Sequence, residues 1–442
     1  MLIAIGVVLF VLGLLLSIAL HELGHLTFAK VFKVRTTQYM IGFGKTLFSR
    51  RRGETEYGLK AIPLGGYIRM VGMVPPARAG AKFRGPTTTA ISPIALFRQI
   101  AEDSRTNDRA AVIEEIDDGR QFYQLHPFKR IIIMFAGPFM NLAIAVVLFG
   151  ILLVGIGVPT PTTIPQVGQV SQCILTADVA ATRSTCDPTD PIAPAAQAGL
   201  QPGDLFVSLD GVPVTDWAQL RQIISASAGK TVSVVYERDG RQQSSEIPVI
   251  QTVRPTYDAQ GAVTGTETAG VLGVTQLTPY VTQSPVAALQ TTGAFIGRAA
   301  TAVVQIPSRI PALWDAIFSG AKRDVNTPVG IVGAGRISGE ILDLDTSVKD
   351  KFALFLQLLA GFNMSLFLIN LLPLLPLDGG HILGAVIEWI RRGWAKVVNR
   401  ADPGPFDVAK LMPVAYVVAL LFVGLTVLTF VADVVNPVSL FG

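Results

Sequence analysis

A polytopic α-helical membrane protein with a β-hairpin segment and a separate small α+β domain is the fold class this sequence predicts. Three observations carry that prediction. Four stretches of about 20 or more mostly apolar residues recur along the chain, each long enough for a bilayer core. Between the first two lie glycine-punctuated runs with period-two alternation. Between the second and third lies a polar region with strand and helix patterns, about 90 residues long and so of domain size. Of the 442 residues, 50% are hydrophobic and 15% charged, which is more apolar surface than a soluble chain of this length needs. The net charge of +4 is too small to suggest a nucleic-acid partner, and no basic, aromatic-interleaved motif argues for one. The positive charge reads as topology.

The first span, residues 1–30, lacks a basic leader and a small-residue cleavage site. It is therefore expected to be retained. Its apolar run is interrupted by His21-Glu22-Leu23-Gly24-His25. Ionisable groups at membrane depth are costly and seldom accidental, and the i, i+4 spacing puts both imidazoles on one helical face. Spans two to four are expected at residues 130–157, 352–380 and 412–433. The loop after span one carries Lys30, Lys33, Arg35, Lys45, Arg50, Arg51, Arg52, Lys60, Lys129 and Arg130, and the loop expected at 391–410 carries Arg391, Arg392, Lys396 and Arg400. By the positive-inside rule both loops are cytoplasmic, so the region between spans two and three and both termini lie outside.

That topology has a geometric consequence. Spans one and three run in the same direction, so their C-terminal ends share one membrane face. His21 and His25 then meet Asp378, in Leu377-Asp378-Gly379-Gly380, at one depth toward the cytoplasmic side. Catalytic zinc takes three protein ligands and leaves one position open. His21 and His25 supply two, and Asp378, an acid with no neighbouring Lys or Arg in sequence, is the best third. Glu22 stands beside them as general base. Both histidines must be neutral to bind, so metal affinity should fall at acid pH.

Less specific readings exist for each residue. His-Glu-x-x-His occurs by chance in soluble helices, and Asp378-Gly379 alone would more often be a turn. Inside a span, with a depth-matched acid, chance is the minority reading. Asn370, about two helical turns before Asp378, could bond a neighbouring helix or hold substrate. His381 reads as a neighbour of the site or as solvated, His126 as a loop residue, and Asn141 as a helix-packing residue.

Residues 36–75 read as β-hairpins and 78–127 as a cytoplasmic insertion with a short helix near 108–117. The α+β module spans 164–250. Its signature is Pro194 to Asp204, its strands run from Leu205 to Leu209 and from Val232 to Tyr236, and a helix runs from Trp217 to Ile224. Residues 251–350 read as a linker with one strand, Gly270 to Leu277, followed by amphipathic helices over 286–318 that put Phe295, Val304, Ile306, Leu313, Trp314 and Phe318 on the apolar side. Cys173 and Cys186 could close a disulfide outside the cytoplasm or remain two thiols.

Together these residues resemble the site-2 protease family of intramembrane zinc metalloproteases. The likeness rests on His21 to His25, Asn370-Leu371-Leu372-Pro373, Leu377 to Gly380, Gly42-Phe43-Gly44, Leu64-Gly65-Gly66-Tyr67 and Ala136-Gly137-Pro138 with Asn141. Within that family the chain is most similar to the bacterial regulator of sigma-E protease group. The resemblance implies one Zn2+ per chain on His21, His25 and Asp378, with Glu22 as base and Asn370 holding substrate backbone. It implies that the β-segment is a membrane re-entrant hairpin and that the extracytoplasmic α+β module is PDZ-like. It implies single-span substrates of the anti-sigma factor type, already shortened by a first cut, with remnant signal peptides as a second class. A substrate helix must unwind to be cut, and strand addition to a β-edge would satisfy its freed backbone groups. Gly65 and Gly66 are expected to allow that approach.

Two other functions fit the sequence less well. A catalytically silent PDZ receptor or chaperone would be expected to lose the base or a ligand, yet all four positions are intact. A metal transporter would spread ionisable residues over several depths, whereas here they cluster at one.

Overall fold

The computed structural model describes residues 2–76, 117–175, 186–257, 263–321, 323–344 and 346–438. Most of the expected insertion, with nearly all of its expected helix near 108–117, falls outside them. The chain divides into two compact units, one of Met1–Leu152 with Pro285–Val438 and the other centred on Leu153–Ser284.

Among the described residues, four helices are long and apolar enough to cross a membrane: Leu2–Val31, Pro127–Ile156, Val348–Asn370 and Val408–Val435. The first, α1, is one continuous helix over Leu2–Val31. It ends because Lys33 adopts a left-handed conformation with φ 63° and the Val34 amide donates to the Ala29 carbonyl at 2.8 Å. This closure is the usual helix stop made here without glycine, and Val34 and Ala29 are buried in one cluster.

The chain then forms two long antiparallel strands, β1 (Thr36–Arg52) and β2 (Thr55–Met70). Ile41 to Thr36 pairs with Gly66 to Met70, and Thr46 to Arg52 pairs with Lys60 to Thr55. Gln38 to Ile41 also lies beside Glu56 to Leu59, so the sheet curls back on itself. The Tyr39 hydroxyl donates to the Ala19 carbonyl at 2.8 Å, which fastens the sheet to α1 just before His21.

Span two is α2 (Pro127–Gly150), with proline at its first turn and the His126 ring accepting the Phe128 amide, and it continues as a π-helical turn, Ile151–Ile156. Two further helices, α3 (Pro285–Val304) and α4 (Ile306–Phe318), cover the expected 286–318 region. Of the expected apolar face, Leu313 is buried, whereas Val304, Trp314 and Phe318 are exposed.

The next helix, α5 (Ile331–Asp343), lies in the 251–350 region beyond the helices expected over 286–318. Its small residues allow close packing on α1. A Cβ on Gly6 would lie 2.5 Å from the Ser338 carbonyl oxygen, and the Ser338 hydroxyl donates to the Gly6 carbonyl at 2.7 Å. Asp433, far along the chain, caps this helix by accepting the Gly330 and Gly333 amides at 3.0 and 2.8 Å. It also pairs with buried Arg323 at 2.9 Å.

Span three is α6 (Val348–Asn370), started by a capping box of Ser347 and Asp350. It stops at Asn370, short of the expected 380, because Pro373 and Pro376 cannot continue a helix. Asp378 therefore does not end span three; it opens a new helix, α7 (Asp378–Val397), which occupies part of the expected 391–410 loop. The loop before it folds tightly onto two glycines. A Cβ on Gly379 would meet the Leu372 carbonyl oxygen at 2.2 Å, and one on Gly380 the Leu375 nitrogen at 2.5 Å. The α7 helix is tied to α2 by an ion pair of Arg130 with the fully buried Glu388. Span four is α8 (Met412–Val435).

The second unit holds a four-stranded sheet ordered Val212–Pro213, Leu205–Leu209, Thr231–Arg238, Arg241–Pro248. The helix Trp217–Ala226 packs on it, its N-terminus capped by the Asp216 carboxylate. Phe206, Leu209, Leu220, Val232, Val234 and Ile247 form the core. Asp204 of the signature segment is buried and accepts from Arg238 twice, both at 2.7 Å, and from the Gln201 amide at 2.7 Å. This hydrogen-bonded pairing pushes the Arg238 pKa above its ordinary value.

The expected linker is corrected here. Ile250–Tyr257 pairs with Val263–Val271, Val274–Gln276 pairs with Val167–Val170, and Tyr280–Val281 pairs with Val158–Pro159. These residues belong to the module, with Val249 and Leu272 in its core. The first pairing is a local hairpin, but the partners of the other two lie about a hundred residues away, so no local pattern announces them. Cys173 and Cys186 form a disulfide.

Candidate metal centre

The site is built where α1 crosses α2. Gly24 permits the crossing, since a Cβ there would lie 2.4 Å from the Ala136 carbonyl oxygen. Gly137 faces it, and a Cβ there would lie 2.1 Å from His25 Nε2. The two helices approach closely enough for α2 to hold the imidazoles of α1. His25 Nδ1 lies 2.8 Å from the Ile133 carbonyl oxygen. A carbonyl only accepts, so Nδ1 carries the proton and Nε2 presents its lone pair. His21 Nδ1 lies 3.1 Å from the side-chain amide of Asn141. The amide oxygen and nitrogen are interchangeable in shape, and with the oxygen on Nδ1–H the His21 Nε2 lone pair is free as well.

The two Nε2 atoms are 3.2 Å apart. Asp378 Oδ2 is 3.3 Å from that of His21 and 3.4 Å from that of His25. Three acceptor atoms thus converge within 4.8 Å from buried histidines and a partly buried aspartate. Their mutual repulsion calls for a cation. Ligands bound to zinc at about 2.0–2.1 Å in tetrahedral geometry stand about 3.3–3.4 Å from one another, so the donor set fits the metal. No Lys or Arg pairs with Asp378 among the described residues. Asp378 also sits at the first position of α7, where the helix dipole favours a carboxylate.

Glu22 is buried beside His21. Gly66 of β2 lies against it: a Cβ on Gly66 would be 2.9 Å from Glu22 Cγ and 3.1 Å from the Met40 carbonyl oxygen. Gly65 has φ 101°, and a Cβ there would meet the Phe43 ring at 2.8 Å. Asn370, the last residue of α6, makes no side-chain hydrogen bond among the described residues.

The sequence reading understated Asn141 and gave no role to Gly137 or Ile133. Asn141 does more than pack helices, because it bonds a histidine of the site. Gly137 carries the His25 contact, and Ile133 acts through its backbone, which no side-chain motif can reveal. The signal that could have found Asn141 is its place four residues after Gly137 on one face of span two.

Four candidate spans and a His-His-Asp donor set with an adjacent glutamate define a membrane-embedded metal-dependent hydrolase. The sequence profile of peptidase family M50 matches residues 9–401. Zinc metalloprotease Rip1 of Mycobacterium bovis is 35% identical over 99% of this chain and 98% of its own. Rip1 of Mycolicibacterium smegmatis is 36% identical over 100% of both chains. A putative zinc metalloprotease of Neisseria meningitidis is 26% identical over 86% of this chain and 90% of its own. The chain belongs to peptidase family M50, the site-2 protease family, and is a membrane zinc metalloprotease. A solved PDZ domain of an SdrC-like protein from Listeria monocytogenes matches 25% of the chain at 19% identity with a TM-score of 0.15, a likeness that bears no argument.

Proposed function

We propose that His21, His25 and Asp378 hold the zinc, that Glu22 is the general base, and that the chain cuts single-span membrane proteins within the bilayer. The observation that carries this reading is the triangle of acceptor atoms at 3.2, 3.3 and 3.4 Å, with no Lys or Arg paired to it among the described residues and with Glu22 beside it. Zinc supplies Lewis acidity there, making water acidic and polarising a scissile carbonyl. Glu22 takes the water's proton and returns it to the leaving amine. The Ile133 carbonyl and Asn141 fix the tautomer and the turn of the imidazoles, so that each Nε2 faces the site.

Substrate enters as an unwound strand along the β1–β2 sheet. Gly66 supports this, because its bare backbone lets β2 lie directly against Glu22, where a Cβ would crowd Glu22, Ile18 and Met40. Gly65 turns the strand by its positive φ, and Asn370 takes substrate backbone at the end of α6. Exposed Phe43, Leu47, Phe48 and Ile62 fit a sheet that dips into lipid. The Cys173–Cys186 disulfide favours an oxidising, extracytoplasmic side for the second unit, and with it the termini, leaving the zinc site toward the cytoplasm. That unit acts as a PDZ-like filter or receptor for new C-termini. The substrates are of the anti-sigma factor class after a first cut, with remnant signal peptides as a second class.

The test uses detergent-purified wild type and Glu22→Gln with a tagged single-span substrate. About one zinc per chain in both forms, with cleavage only by the wild type, is expected. Zinc loss in Glu22→Gln, or cleavage by it, overturns the assignment of Glu22.

A further inference from the structure

The α7 helix has two opposite faces. Glu388, Gly384 and Ala395 are buried. On the other side, Leu383, Ile390, Trp394 and Val397 follow one another at spacings of seven, four and three, which forms a single helical stripe. All four are exposed, Trp394 to 67% and Val397 to 78%. Arg391 and Lys396 flank the stripe, and the Trp389 ring lies tilted against Phe128 at the start of α2, centroids 5.8 Å apart. Nothing among the described residues covers this stripe.

Two contacts along α2 set the depth of α7. At its first residue, Asp378 meets His25, whose ring is bonded to the Ile133 carbonyl. Ten residues later, Glu388 pairs with Arg130. The His25 Nε2 that faces Asp378 lies against Gly137, and Gly137 to Arg130 spans about 10.5 Å of α2, against about 15 Å from Asp378 to Glu388 on α7. The helix thus runs obliquely to α2, and its C-terminal half, with Ile390, Trp394 and Val397, reaches the level where α2 begins with Lys129 and Arg130. A helix in that position, with an apolar stripe, two tryptophans and flanking cations, has the composition of one lying in the interfacial layer of a bilayer.

We infer that α7 is an interfacial helix whose Leu383–Ile390–Trp394–Val397 stripe is seated in the glycerol and upper acyl layer of the lipid, at the membrane face where span one ends and span two begins. Through Asp378 at its first residue, the same helix ties the third donor to the lipid boundary. The inference rests on the four spans crossing a bilayer and not on the zinc assignment.

The test is tryptophan quenching in proteoliposomes. The chain has four tryptophans, so Trp217→Phe, Trp314→Phe and Trp389→Phe together leave Trp394 as the reporter. The same signal is obtained from full wild type minus Trp394→Phe, should the triple variant not fold. Phosphatidylcholine–phosphatidylglycerol vesicles carry lipids brominated either near the carbonyls or near the chain ends. Shallow bromines are expected to quench Trp394 at least about twofold more than deep ones, with acrylamide in the water quenching little. Stronger quenching by deep bromines overturns the inference by making α7 a buried span. Quenching by acrylamide alone overturns it by placing the stripe in water. Protection from all three quenchers overturns it by showing that protein, a partner or a second copy, covers the stripe.

Discussion

Asp204 in the α+β unit and Asp378 in the membrane unit are both aspartates next to glycine in a short motif, yet their surroundings differ in kind. Asp204 is gripped by Arg238 at 2.7 Å through both oxygens and by a backbone amide. Asp378 faces only two imidazoles at 3.3 and 3.4 Å. The other buried acids of the membrane unit sort the same way. Glu388 is matched by Arg130 and Asp433 by Arg323, whereas no arginine or lysine is paired with Glu22 among the described residues. A buried carboxylate neutralised by arginine holds a fold together, because removing either partner strands a charge. One left to histidines is available for a cation or a proton.

This contrast is broken most sharply by exchanging acids for amides. Asp378→Asn should abolish proteolysis and drop bound zinc well below one per chain, while the α+β unit melts as in the wild type. Asp204→Asn should keep zinc and lower the stability of its own unit by about 3 kcal/mol, read by urea unfolding of that unit. Zinc loss in Asp204→Asn would erase the distinction.

A smaller effect separates packing from chemistry within the membrane unit. Gly137→Ala puts a Cβ against His25 Nε2, so zinc affinity should fall at least about tenfold, the scale of a misoriented ligand. Competition with a zinc chelator measures it, and unchanged affinity would mean that the α1–α2 crossing is not tight. Asn141→Leu should cost about 10–100-fold in zinc affinity, with Asn141→Asp recovering part of it because a carboxylate still accepts from Nδ1–H. Equal loss in both variants would reduce Asn141 to a packing role. Gly66→Val should lower turnover while leaving zinc content unchanged. At the bottom of the scale, Glu54→Ala removes an exposed pair with Arg120 at 2.7 Å and should change thermal stability by less than about 1 kcal/mol.

The sequence alone determined the spans, since a run of apolar residues at bilayer length has few other uses. It also determined the chemistry of α1, because an i, i+4 pair of histidines is local and a helix fixes their shared face. The strands Leu205–Leu209 and Thr231–Arg238 and the helix Trp217–Ala226 were legible for the same reason: period and capping are written in adjacent residues. The tertiary structure alone decided which acid joins the histidines at ligand distance, which backbone carbonyl turns His25, and that Asn141 reaches His21. It also decided that residues 250–281 complete the α+β unit and that a glycine-rich run becomes α5. Each of these depends on groups far apart in the chain, or on backbone atoms and missing Cβ atoms, which carry no residue-type signal. Asp378 shows both limits. Its depth followed from topology, but its place at the start of a new helix did not, because two prolines and two glycines settle that by how tightly the loop folds back upon α7.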